Sequence, residues 1–153
     1  MKFLLPFRYV IEFFLFKLIF FLLSCFPKKI SSNIFSYSFM LLGSFSKYNK
    51  IAKNNCKHVF TNFNDKQINN IINNSWKNLG KNLYELSYLN KLVDDKDKIK
   101  ILGLDKLEII KRTNQPVIFF GIHSGNWEIC VPILDKYGFS IGAIYRHINN
   151  NFF

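Results

Sequence analysis

Cysteine is scarce. Cys25, Cys56 and Cys130 are odd in number and far apart, which excludes a disulfide scaffold and fits free thiols in a reducing compartment. No Cys/His cluster has the spacing of a structural zinc site, so no metal is expected. Acidic residues are also few: ten Asp and Glu stand against 21 Lys and Arg, for a net charge of +11. Within residues 1–60, Glu12 is the sole acid beside nine Lys and Arg. Nucleic acid is a usual partner of basic proteins, but zinc-finger, RRM and basic-zipper patterns are missing, and no nucleic-acid partner is expected. No small-x-small site precedes Pro27, which argues against a cleaved signal peptide. No nucleophile motif such as G-x-S-x-G occurs.

What is present is apolar. Hydrophobic residues make up 49% of the 153-residue chain and aromatics 18%, with 18 Phe. That excludes a disordered chain and supplies one domain's worth of core.

Residues 3–26 read FLLPFRYVIEFFLFKLIFFLLSCF, the length of a transmembrane helix, which takes about 20 largely apolar residues. Arg8, Glu12 and Lys17 interrupt the run, and Arg8 and Glu12, four apart, can pair on one helix face. Residues 1–27 are therefore expected to form a membrane anchor. The helix either spans or lies in the interface with its charges snorkelling; a buried soluble helix is the third option. Lys28 and Lys29 follow the apolar end, which by the positive-inside rule puts the following chain in the cytoplasm. Residues 28–60 read as a basic amphipathic helical segment ending in Lys47, Lys50, Lys53 and Lys57. A basic segment beside an apolar one is drawn to an anionic membrane.

Residues 61–153 are expected to form a partial α/β domain. The clearest helix covers 64–89: Asn64 can cap it, Gln67 completes a capping box, and Ile68, Ile71, Ile72, Trp76, Leu79, Leu83 and Leu86 follow at helical spacing. The period then changes. Residues 99–104, 116–122 and 139–145 are expected strands, and 105–113 and 126–137 are expected helices, an alternation that predicts a mainly parallel sheet.

The run at 116–122 leads into His123-Ser124-Gly125-Asn126-Trp127-Glu128. Ligands of open α/β sheets bind beyond the carboxyl ends of strands, where His123 would sit. Gly125 allows a tight turn, and Asn126 can cap the next helix, placing Glu128 in its first turn. His123 and Glu128 are five apart, so they can meet across such a turn but not along one helix. A carboxylate that fixes the tautomer of an imidazole makes it a general base, worth about 10²- to 10⁴-fold in rate. With no enzyme nucleophile nearby, the base would activate a hydroxyl of the substrate. A packing role for His123 and a solvated Glu128 are the plain alternative. His58 and His147 have no comparable context.

At these residues the sequence resembles the lipid A lauroyl/myristoyl acyltransferases, the late acyltransferases of lipopolysaccharide synthesis. H-S-G-N-W-E is similar to their H-x-G-N-W-E block. Trp76-Lys77-Asn78-Leu79-Gly80 with Glu85 is similar to their W-x-N-L-G…E helix, and Tyr145-Arg146 with Asn149-Asn150 to their Y-R…N-N stretch. Gly103 and Leu107 fit their G-x-E-x-L segment, with Asp105 where Glu is usual. The resemblance runs from about residue 54 to the last.

It implies an acyltransferase that takes a fatty acyl chain from the thioester of acyl carrier protein, with no further cofactor. The acceptor would be a hydroxyl of a Kdo-bearing lipid IVA precursor, at the cytoplasmic face of the inner membrane. His123 and Glu128 would be catalytic. Gly125 and Asn126 would bind the substrate, their backbone N–H groups receiving the oxyanion, and Arg146 would clamp a phosphate or carboxylate. Members of that family are longer than this chain, so the sequence reads as an N-terminal portion. A non-catalytic membrane-associated remnant and a glycerolipid acyltransferase are the alternative readings.

Overall fold

A computed structural model describes residues 5–144 and residue 150. The described elements are α1 (Leu5–Ser24), α2 (Lys28–Ser44), α3 (Lys47–Val59), α4 (Asp65–Glu85), α5 (Leu89–Val93), α6 (Leu104–Thr113) and α7 (Cys130–Lys136). Single 3₁₀ turns at Leu86–Tyr88 and Trp127–Ile129 precede α5 and α7. The chain divides into two compact units, Met1–Ser31 with Gly142–Phe153, and Ser32–Ile141.

In the first unit, α1 carries the expected pair, with Arg8 Nε donating to Glu12 Oε1 at 2.7 Å. That bond holds the Glu12 carboxyl below its ordinary range. Asn150 Nδ2 adds bonds to the Tyr9 carbonyl and to Glu12 Oε2. Buried Ser31 donates to the Leu23 carbonyl at 2.7 Å, which also accepts from the Phe26 N–H at 3.1 Å where α1 ends.

No helix among the described residues is long and apolar enough to cross a membrane. The reason lies in α1 itself: any stretch of its 20 residues that approaches spanning length contains Arg8, Glu12 and Lys17. The expected spanning anchor is thereby corrected. The inner-membrane placement that relied on it is contradicted as well.

The second unit is built on α4, whose start is set locally. Asn64 Oδ1 accepts from the Gln67 N–H and Gln67 Oε1 from the Asn64 N–H, both at 2.9 Å, closing the capping box. Ile68, Ile72, Gly80, Asn82 and Tyr84 are the buried residues of α4. Phe35 of α2 lies against Tyr84, ring centroids 5.6 Å apart, and Ser36 donates to the Lys77 carbonyl at 3.0 Å. Trp76 packs its ring on Gly43 of α2 and donates to Asn49 Oδ1 of α3 at 3.0 Å. Lys57 and Asp65 form an ion pair between α3 and α4.

The expected α/β sheet is not there: among the described residues there is no strand. The helices at 105–113 and 126–137 correspond to α6 and to the turn plus α7. Residues 99–103, 116–122 and 139–144 are without regular structure, and Leu104 opens α6. Phe119 meets Phe139 edge-on, with ring centroids 5.3 Å apart, so two of the runs touch through side chains. Among the described residues, their backbones exchange no hydrogen bonds. A strand is stabilised by a partner's ladder and by burial of its face. Here the run at 117–122 has neither, since Ile118 is 78% and Phe120 93% exposed.

Candidate active site

The segment 123–128 lies against one face of α4. Asn78, Asn82 and Glu85 are spaced four and three apart, so their side chains leave the helix on the same side. Asn78 Nδ2 donates to the Gly125 carbonyl at 3.0 Å. Asn82 Nδ2 donates to the same oxygen. Glu85 Oε2 accepts from Asn126 Nδ2 at 2.7 Å. Gly125 has φ +57°, a left-handed turn that glycine adopts without a Cβ penalty.

Asn126 acts as the expected cap. Its Oδ1 accepts from the Glu128 N–H at 3.2 Å. Because the Glu85 carboxylate can only accept, the amide nitrogen must face it and Oδ1 is left for Glu128.

His123 and Glu128 are both exposed and lie on either side of Trp127. The Trp127 ring is tilted against the His123 ring at a centroid distance of 4.9 Å. Its indole N–H donates to Glu128 Oε1 at 2.9 Å. No hydrogen bond joins His123 to Glu128 in this arrangement. Arg146, expected to bind substrate, lies outside the described residues, as do Tyr145 and Asn149 of the same block. No cluster of three or more His, Cys, Asp or Glu able to hold a metal occurs among the described residues.

Sequence reasoning did not single out Asn82. The signal was a polar residue in step with Asn78 and Glu85 on a helix otherwise read for its apolar spacing. Trp127, given no role of its own by the sequence, has a polar one through its bond to Glu128.

The family model for bacterial lipid A biosynthesis acyltransferases matches residues 1–153. The chain belongs to that family. No curated protein and no solved structure matches it. In this member of the lipid A acyltransferase family, two blocks that carried the sequence resemblance, the α4 segment and the His123–Glu128 segment, are the two joined by the Asn78, Asn82 and Glu85 bonds.

Proposed function

We propose that this chain transfers a fatty acyl group from an acyl carrier protein thioester to a hydroxyl of a Kdo-bearing lipid IVA precursor. His123 is the general base and Glu128 its carboxylate partner. Family membership supports the reaction class. One observation carries the site: three side-chain bonds tie α4 to the loop bearing both residues.

An imidazole nitrogen of His123 takes the proton of the acceptor hydroxyl as that oxygen attacks the thioester carbonyl carbon. The carbonyl π electrons move to its oxygen, giving a tetrahedral oxyanion. The oxyanion collapses, the C–S bond breaks, and the leaving thiolate takes the proton back from the imidazolium. The products are an ester and a free thiol.

Glu128 stabilises the imidazolium after its carboxylate turns from Trp127 towards His123. Catalytic hydrogen bonds often form only in the substrate complex. Gly125 and Asn126 bind the reacting carbonyl, and Arg146 binds an anionic group of the acceptor. An anionic lipid surface is the third partner. The exposed apolar side chains of α1, among them Phe14 and Phe21, stand beside exposed Lys28 and Lys29.

The test is a transfer assay with acyl carrier protein thioester, offering the lipid A precursor and lysophosphatidic acid side by side. Wild type is expected to acylate the lipid A precursor. His123→Ala is expected to lose activity by about 10²- to 10⁴-fold. Undiminished transfer by His123→Ala would overturn the mechanism, and a preference for lysophosphatidic acid would overturn the substrate.

A further inference from the structure

The Gly125–Asn126 peptide is held from one side only. Its carbonyl oxygen accepts from Asn78 and Asn82, which uses both of its lone pairs. The opposite end of the same planar unit is the Asn126 N–H. That N–H donates to no protein acceptor among the described residues. The Asn126 side chain is meanwhile fixed by Glu85 and by the Glu128 N–H, so the peptide cannot swing freely about its own ends.

Building on the acyl-transfer reading above, we propose that Asn78 and Asn82 are positioning residues that aim and polarise this peptide, so that the Asn126 N–H receives the oxyanion of the tetrahedral intermediate. Two donors on one carbonyl draw electron density towards oxygen, and amide resonance passes the deficit to the N–H. Chained hydrogen bonds strengthen one another by about 10–30% per bond. The larger gain is geometric: a donor already aimed at the site needs no reorganisation when charge develops.

Local structure fits this role. An i, i+4 pair on α4 lets two amides converge on one acceptor. Asn82 is only 4% exposed, so its bond acts where water screens little. Both donors are neutral. They polarise the peptide without adding a net charge to the loop. Gly125, in its left-handed turn, presents its carbonyl to the helix, and the N–H of the next residue points from the opposite edge of the planar peptide.

The full chain is tested with Asn78→Leu and Asn82→Leu, which keep side-chain size without a donor or a charge, and with Asn78→Gln, which keeps an amide. His123→Ala is the control. Transfer kinetics are measured alongside binding of a long-chain alkylphosphonate, whose tetrahedral anionic head imitates the intermediate. Each Leu variant is expected to lose about tenfold in kcat with KM unchanged, less than the roughly 10²- to 10³-fold that a whole oxyanion donor supplies. Phosphonate affinity should fall by the same factor, and Asn78→Gln should recover part of both.

Unchanged kcat and phosphonate affinity in both Leu variants, with His123→Ala inactive, would overturn the inference and leave the acyl-transfer reading standing. So would a parallel loss in kcat, KM and melting temperature, which marks a role in folding alone; half-buried Asn78 is the variant least exposed to that outcome. No transfer by wild type, or full transfer by His123→Ala, would instead overturn the reading on which the inference rests.

Discussion

Glu85 acts on two neighbours at once. Its carboxylate fixes the amide of Asn126, and its charge bears on Tyr88 three residues on. Partial burial comes first, and Glu85 and then Tyr84 add to it, so the Tyr88 phenol is pushed up from 10.0 to about 12. The folded chain therefore keeps a proton that the unfolded chain releases. The stability this represents is whole below about pH 10 and is lost as pH climbs through about 12. Denaturation midpoints followed across that range should fall more steeply for wild type than for Tyr88→Phe. Superimposable curves would show that Tyr88 is not the group responsible. Trp127 has a comparable double role, its ring against His123 and its N–H on Glu128. In this arrangement the Glu128 carboxylate is bonded to the indole and not to the imidazole.

Among the elements, α4 is both a core helix and the platform of the site. Gly80 makes this possible: a Cβ there would meet the Phe35 carbonyl oxygen at 2.5 Å and Phe39 Cβ at 2.7 Å. Gly80→Ala should therefore cost about 1–3 kcal/mol through overpacking, read as a lower melting temperature. Since Asn78, Asn82 and Glu85 ride on the same helix, transfer activity should fall with it. An unchanged melting temperature would mean that α2 yields at that contact without cost.

The same helix shows what a sequence can disclose. Its start was legible because the Asn64/Gln67 box closes within four residues. The Gly125–Asn126 turn was legible for the same reason: a left-handed glycine and an Asn cap are local devices. The α6 helix was close to its expected bounds. The sheet was misread because an apolar run does not name its partner; 116–122 and 139–145 have strand composition, yet pairing depends on backbone that must meet from elsewhere in the chain. Asn82 escaped notice on the same grounds. Its acceptor is 43 residues away in sequence, and nothing in its neighbourhood points there. The resemblance to lipid A acyltransferases survived the wrong sheet because it rested on ordered side-chain motifs, which the family match supports independently of secondary structure.

At the scale of the whole molecule, charge is distributed unequally, with nine of the 21 basic residues and one of the ten acids in residues 1–60. Acids enter in number only from Asp65 onward, where Lys57 pairs with Asp65, Lys98 with Asp95 and Lys136 with Asp94. Surface pairs of this kind contribute little on their own, so the second unit relies on the α2–α4 contacts and on the bonds from α4 to the loop. The apolar run before that loop lies outside this support. With Phe120 almost fully exposed and no backbone N–H of 117–122 donating to a described acceptor, it is the segment a protease can draw into an extended conformation at least cost. Brief exposure to chymotrypsin should nick the chain after Phe119 or Phe120 before it attacks the many Phe residues held in helices. The two pieces should still migrate together under native conditions, held by the Asn78, Asn82 and Glu85 bonds and by Asn150 on Tyr9 and Glu12. The proposed base would then lie on one polypeptide and the helix that positions it on another.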